Sequence, residues 1–326
     1  MNRRDLLRTF GSVAATVAIP SSVLFAGTDK VPRIAVVSLH APALAADVDG
    51  IREELNKLGY VEGSTIEIES HFTNGDKQRA RDILKTLIDK GIDVIVPWTT
   101  ATVQLTMEMT QTIPLVMIAS DPVQAKLVQS LSRPGGNVTG VSMSGPGLAG
   151  KRLELLRELV PAVGSVAFLS FTPSPGAAAF IRESSEAAGK IGMKLIVRSI
   201  DRPDQLDVGL FSGLKEEGAQ ALIVQPFFTG HAEKLAQLGL KSGMPVISDY
   251  PAFPKAGALA SLGVDLSRRV RRTAYFIDRI LKGAKPADLP VEQPTEFDLT
   301  INIKTAKALG IAVPTTLLAR ADEVIE

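Results

Sequence analysis

The feature that most constrains the fold of this chain is a repeated alternation of short β-branched runs with helical stretches. The pattern predicts strands at 33–38, 65–70, 93–97, 115–118 and 138–141, and helices between them at 46–58, 78–90, 101–110 and 122–132. Two of the runs, IAVV at 34–37 and VIV at 94–96, are apolar throughout. Such runs are expected when helices cover both faces of a parallel sheet. This half of the chain therefore predicts a parallel α/β unit.

The same alternation begins again after a Gly/Pro/Ser stretch at 142–147 (SMSGPG). It predicts helices at 148–159, 176–190, 203–217 and 232–241, and strands at 165–170, 194–199, 221–225, 246–248 and 259–261. An amphipathic helix at 267–281, a strand at 297–303 and a short helix at 303–309 follow. Because this tail comes after two complete units, we expect the chain to pass between two lobes more than once.

The first residues are typical of an export signal. Arg3 and Arg4 precede an apolar run from Phe10 to Phe25 that contains no charge, and the arginine pair indicates the twin-arginine type. The alternative is a membrane anchor, but the run is shorter than the roughly 20 apolar residues of a spanning helix. We therefore predict a signal at residues 1–26, cleaved near Ala26, and a mature protein in the periplasm.

Composition excludes several classes of function. The 326 residues carry 36 Lys+Arg and 35 Asp+Glu, so the net charge of +1 gives no broad field for nucleic acid. There is no cysteine, which excludes disulfides, zinc–thiolate sites and Fe–S clusters. The three histidines (His40, His71 and His231) do not have metal-ligand spacing. We expect neither a cofactor nor a metal, and no nucleic-acid partner.

Two further segments resemble functional motifs, a phosphate-binding loop and a basic patch, but each has a structural explanation. Gly145–Arg152 (GPGLAGKR) fits G-x-G-x-x-G, yet Arg152 stands where a P-loop requires a hydroxyl, so we interpret the segment as a connection between lobes. Arg268–Arg272 (RRVRR) lies on a helix whose apolar face is supplied by Tyr275, Phe276 and Ile280. The arginines are therefore predicted to form a solvated face.

Candidate binding residues follow the predicted strands, because open α/β sheets bind ligands beyond the carboxyl ends of their strands. Thr99 and Thr100 precede a helix, where hydroxyl and N–H groups suit a carboxylate, and Asp249 or Asp265 could accept from an ammonium. The alternative for each residue alone is a helix cap or a turn.

Six segments carry a resemblance to a known family: LGYVEG at 58–63, DVIV at 93–96, DPV at 121–123, SRPGGNVTG at 132–140, ILKGAKPADLP at 280–290 and IKTAKALG at 303–310. From Val31 to Glu326 the chain resembles the ABC-transporter substrate-binding proteins of the tryptophan/tyrosine type. The resemblance implies the type I periplasmic binding protein fold, which has two Rossmann-like lobes, three crossings between them and a ligand cleft. The N-terminal lobe would comprise 31–142 and 268–293, and the C-terminal lobe 146–264 and 297–326.

The resemblance also implies a function and a site. The protein would close by a hinge on a small organic ligand, amino-acid-like or an aromatic acid, and present it to an ABC permease as a monomer without enzymatic activity. The implied ligand-binding residues, with Trp98 added as a wall of the cleft, are His40, Trp98, Thr99, Thr100, Ala101, Asp121, Ser142, Thr172, Phe227, Tyr250 and Asp265.

Two other classes of protein share this architecture. A secreted α/β enzyme could use an Asp/His pair in the same cleft, although no nucleophile–base spacing supports it. The effector-sensing half of a transcriptional regulator has a related fold, but an export signal stands where a DNA-binding helix-turn-helix would be.

Overall fold

The strands of this chain form two separate sheets, as the restart of the alternating pattern predicted. The computed structural model describes residues 30–39, 45–143, 147–172 and 177–326, without the side chains of Ala45, Ala46 and Pro226. The predicted export signal and His40 lie outside the described residues. Residues 31–326 form one compact unit.

The first sheet is parallel and has five strands. Its order is β2-β1-β3-β4-β5, with β1 at Arg33–Ser38, β2 at Glu67–Phe72, β3 at Val94–Trp98, β4 at Leu115–Ala119 and β5 at Val138–Ser142. The helices between these strands are α1 (Ala45–Lys57), α2 (Lys77–Asp89) and α3 (Thr100–Met109). β1, β3, β4 and β5 are buried along almost their whole length, which explains the continuous apolar runs of β1, β3 and β4.

The second sheet has seven strands in the order β12-β11-β10-β9-β8-β6-β7. They are β6 (Ser165–Phe171), β7 (Lys194–Ile200), β8 (Leu222–Val224), β9 (Val246–Ser248), β10 (Ala260–Val264), β11 (Phe297–Asn302) and β12 (Glu323–Ile325). β11 runs antiparallel to β10, and the other paired strands are parallel. Alternate residues of β6 enter two cores, Val166 and Phe168 in one and Ala167 and Leu169 in the other. Apolar groups therefore cover both faces of this sheet.

Helices complete the second lobe and return to the first. The helices are α4 (Leu148–Leu159), α5 (Ala177–Lys190), α6 (Val208–Glu216), α7 (Ala232–Ser242), α8 (Ala252–Lys255), α9 (Leu266–Leu281), α10 (Ile303–Ala308) and α11 (Thr315–Leu318). Short 3-10 turns occupy Pro203–Gln205, Pro226–His231 and Pro286–Asp288. α9 packs against α1 and beside β4 and β5 of the first sheet, although it follows β10 of the second. The chain thus crosses between lobes after β5, before α9 and before β11.

Two predicted helices differ from the structure. Residues 122–132 form successive turns rather than a helix, because Asp121 and Lys126 have φ angles of +43° and +56°, which interrupt right-handed helical geometry. The helix predicted at 203–217 begins five residues later, at Val208, where the Asp207 carboxylate accepts from the Leu210 N–H and caps it. None of the described helices has both the length and the apolar character needed to cross a membrane.

Candidate functional site

The candidate site lies where residues that follow the strands of one sheet meet residues that follow the strands of the other. A cavity there is lined by residues from both lobes and from the segments that cross between them: Met143, Leu148, Phe180, Asp249, Tyr250, Val264 and Arg269. The space between these atoms measures about 260 Å³ with its open edges included, and its enclosed part has room for about one water molecule. Apolar walls with a few convergent polar groups are typical of small-molecule sites.

Arg269 is the cationic wall of this cavity. It lies in the first turn of α9 with a side chain only 2% exposed, and its Nη2 donates to Oδ2 of Asp47 at 2.9 Å. Its Nη1 donates to the Tyr250 hydroxyl of the second lobe at 3.3 Å. The guanidinium also lies over the rings of Trp98 and Tyr250, at 5.1 Å and 5.9 Å from their centroids. Burial opposes the charge of Arg269, but Tyr250 and Asp47 outweigh it, so the pKa of Arg269 is raised.

The acidic wall of the cavity is Asp249, and a second buried arginine, Arg152, binds it. Arg152 of α4 donates from Nη2 to Oδ2 of Asp249 at 2.7 Å and from Nε to the carbonyl of Leu262 at 2.8 Å. Burial raises the pKa of Asp249 to about 6, although Arg152 opposes the shift. Asp249 therefore titrates well above the range of an exposed carboxyl.

A third arginine joins the lobes at the edge of the site. Arg182 of α5 donates from Nη2 to Oδ2 of Asp121, which follows β4, at 2.9 Å. Glu183 lies beside both groups, and its pKa is raised by burial and by the charge of Asp121. The positive φ of Asp121 turns the chain at the point where its carboxylate meets the other lobe.

The structure brings together most of the predicted residues of the first lobe, but several of their polar groups are already engaged. Trp98 is buried under Arg269. The hydroxyl of Thr99 accepts from the Thr102 N–H and caps α3, while the hydroxyl of Thr100 donates to the carbonyl of Ser120. Ala101 packs against the core of the first lobe. These threonines therefore form and brace the N-terminus of α3.

The remaining predicted residues are more dispersed. Ser142 is buried at the end of β5, where its N–H donates to the carbonyl of Glu292. Thr172 is exposed, and Phe227 stacks on Phe171 with ring centroids 3.8 Å apart. Asp265 caps α9 by accepting from the Arg268 N–H at 3.0 Å, which is the alternative that the sequence left open for it.

The prediction that the arginine cluster of α9 forms a solvated face is wrong for Arg269. Helical spacing places Arg269 in one row with Thr273, Phe276 and Ile280, which are all buried. Tyr275, assigned to the apolar face, is 37% exposed. A helical wheel drawn through the buried row would have identified Arg269, whereas the run of arginines obscured it. The sequence analysis likewise considered Arg152 only as the residue that departs from the P-loop pattern.

Comparison with known proteins agrees with this arrangement. Residues 33–325 match a family model described as ABC transporter substrate binding protein. A tyrosine-binding protein of Clostridioides difficile (strain R20291) is 25% identical over 273 residues, which cover 83% of this chain and 78% of the relative.

Two solved structures of related proteins are similar to this chain in fold. An ABC domain from Streptococcus pneumonia in complex with L-Trp is 28% identical, with a TM-score of 0.83 over 91% of this chain and 100% of that chain. The ligand-free, open structure of a substrate binding protein with adhesive properties from Clostridium difficile is 26% identical, with a TM-score of 0.70 over 90% of this chain and 99% of that chain. At nearly equal identity, the present structure is thus more similar to the L-Trp complex than to the open form.

Proposed function

This chain belongs to the family of ABC transporter substrate binding proteins, and we propose that it is an exported receptor that delivers a small organic ligand to an ABC permease. The observation that supports this best is the cavity to which both lobes contribute, with apolar walls at Met143, Leu148, Phe180 and Val264. Its enclosed part has room for about one water molecule, so the lobes must separate to admit such a ligand and then close around it on a wider cavity than the present one. The tyrosine-binding relative and the structure with bound L-Trp support an amino-acid-like or aromatic acid as the ligand.

We infer that the receptor works by hinge closure. The bonds from Arg269 to Tyr250 and from Arg182 to Asp121 each join one lobe to the other, so they form only when the lobes approach. A ligand that contacts both lobes favours the closed state by its differential affinity for the two states. Closure would present a surface to the permease that the open receptor lacks.

The proposed contacts with the ligand come from the strand-end loops. Tyr250 lines the cavity, and Trp98 lies against Arg269. We propose that Thr99, Thr100, Ala101, Asp121 and Ser142 contribute the first lobe's side of the site. We further propose that Thr172 and Phe227 border the entrance, that Asp265 positions α9, and that His40, which lies outside the described residues, contacts the ligand.

The export step and the boundaries of the lobes are also proposals. Residues 1–26 would direct the chain to the periplasm, where the mature protein would act as a monomer. The lobes would comprise 31–142 with 268–293 and 146–264 with 297–326, because α9 packs on the first sheet while β11 pairs with β10.

The test is a thermal-shift screen of the mature protein against amino acids, aromatic acids, nucleosides and small sugars. A ligand that binds only the folded state at 100 times its Kd stabilises it by about 2.7 kcal/mol. We expect an amino acid or aromatic acid to raise Tm and to be recovered unchanged. Consumption of the ligand would instead favour the secreted enzyme.

A matched pair of variants localises the binding. Val264→Phe fills the cavity and should abolish the Tm shift, whereas Val197→Phe places the same ring at an exposed position of β7 and should leave the shift intact. Equal responses of the two variants would contradict the proposed location.

A further inference from the structure

Arg269, which lines the cavity, has one buried side-chain atom without a hydrogen-bond partner in the described part of the chain, namely Nε. We propose that this N–H binds a carboxylate oxygen of the ligand, so that the transported molecule is an organic acid anchored by Arg269. The inference rests on the proposed function and names the group by which the ligand is recognised.

The surroundings of Arg269 fix its guanidinium plane. Asp47 accepts from Nη2 and the Tyr250 hydroxyl accepts from Nη1, so each terminal nitrogen donates one of its two N–H groups. The rings of Trp98 and Tyr250 approach the guanidinium and restrict its remaining freedom. A planar group that is held in this way keeps its Nε–H in a defined direction.

An N–H that is buried without a partner is destabilising, by about 1–3 kcal/mol. Arg269 keeps this N–H although its side chain is only 2% exposed. An oxygen supplied by the ligand would satisfy it, and a carboxylate would do so through a charge-assisted bond that is stronger than one to a neutral carbonyl. Guanidinium remains protonated at any physiological pH, so the site remains a donor.

Other side chains near the cavity that can donate already have protein acceptors. The guanidinium of Arg152 binds Asp249 and the carbonyl of Leu262. The guanidinium of Arg182 binds Asp121, and the hydroxyl of Thr100 donates to a backbone carbonyl. Among the described residues that line the cavity, the one with a buried side-chain nitrogen lacking a partner is Arg269, which the sequence analysis had predicted to lie on a solvated face.

The experiment compares acids with their primary amides, which differ only in the group that would meet Arg269. The probes are 3-phenylpropanoate and 3-phenylpropanamide, indole-3-acetate and indole-3-acetamide, and L-tyrosine and L-tyrosinamide, titrated by calorimetry into the full mature protein. For at least one pair we expect the wild type to bind the acid about tenfold or more tightly than the amide. Wild-type binding of both members with equal affinity would overturn the inference and leave the proposed function standing.

Variants separate recognition from lobe closure. Arg269→Gln retains an amide that can donate to Asp47 but removes Nε–H, and we expect it to abolish the preference for the acid. Arg182→Ala removes the ion pair with Asp121 between the lobes, which does not involve Arg269, and should weaken both members of a pair equally, which preserves their ratio. Retention of the acid preference in Arg269→Gln would refute the anchor. Failure of every probe to bind the wild type would refute both the anchor and the ligand class proposed above.

Discussion

Arg152 and Asp249 form a buried ion pair across 97 positions of sequence, with Nη2 and Oδ2 2.7 Å apart. Their side chains are only 5% and 12% exposed. The same guanidinium donates to the carbonyl of Leu262 in β10. Arg152 therefore joins α4, β10 and the segment that follows β9 at one wall of the cavity. This wall is consequently held by charge as well as by packing.

Removal of Arg152 should destabilise the protein severely. Arg152→Met retains most of the apolar stem but leaves Asp249 buried without its partner, and we expect a loss of about 3–5 kcal/mol in the free energy of unfolding. Urea denaturation at neutral pH measures it. Arg320→Met is the control, because Arg320 pairs with Glu158 at the surface and exposed pairs contribute about 1 kcal/mol or less. Similar losses in the two variants would contradict the importance given to the buried pair.

Asp249 should make stability depend on pH. Its pKa is raised to about 6 from 3.8, so the folded chain holds this proton more tightly than the unfolded chain. The stability contributed by this group is complete below pH 3.8 and is lost as pH rises through about 6. We expect the unfolding free energy of wild type, measured relative to Asp249→Asn, to fall by about 1–3 kcal/mol between about pH 4 and pH 7. If the difference in unfolding free energy between wild type and Asp249→Asn does not vary with pH, the pKa of Asp249 is not raised in the folded protein.

Gly263 should not tolerate alanine. A Cβ at this position would lie 1.6 Å from the carbonyl oxygen of Asp249, because β10 passes directly against the end of β9. We expect Gly263→Ala to lose about 2 kcal/mol or more of stability in urea denaturation and to displace the acidic wall of the cavity. Gly136→Ala meets no atom within 4 Å and should change stability by less than about 0.5 kcal/mol. If both variants are equally stable, the close approach of the two strands is wrong.

Arg182 should favour the closed arrangement. Arg182→Ala removes the ion pair with Asp121 between the lobes. For a partly exposed pair we expect a change of about 0.2–1 kcal/mol, equivalent to at most about fivefold in the ratio of open to closed molecules. Small-angle scattering of the ligand-free protein should show a larger radius of gyration. Arg81→Ala breaks a pair with Glu108 within the first lobe and should leave the radius unchanged.

Most strands could be predicted from the sequence because a parallel sheet covered on both faces requires continuous apolar runs, as in β1 and β4. The helix predicted at 122–132 was wrong because its apolar residues mimic a helical period, while the positive φ of Lys126 depends on tertiary contacts. The short strand β12 (Glu323–Ile325) was not predicted, since three residues at a sheet edge carry little periodic signal.

Only part of the cavity lining could be predicted from the sequence. The rule that ligands bind beyond the carboxyl ends of parallel strands led to Tyr250, which lines the cavity, and to Trp98, which lies against Arg269; their role in binding stays a prediction. It could not identify Arg152 and Arg269, because both lie on helices that begin after crossings between the lobes. Their partners, Asp249 and Asp47, are 97 and 222 positions away in the chain, a separation that local patterns do not encode.

The position of α9 has a consequence for the order in which the molecule assembles. Strands β1–β5 are complete by residue 142, but α9, which packs on α1 and beside β5, ends only at Leu281. Asp278 of α9 accepts from the Tyr60 hydroxyl at 3.0 Å, so a side chain of the early chain acquires its partner 218 residues later. During synthesis the apolar face of the first lobe that α9 covers therefore stays exposed until α9 itself has emerged, near the end of the polypeptide.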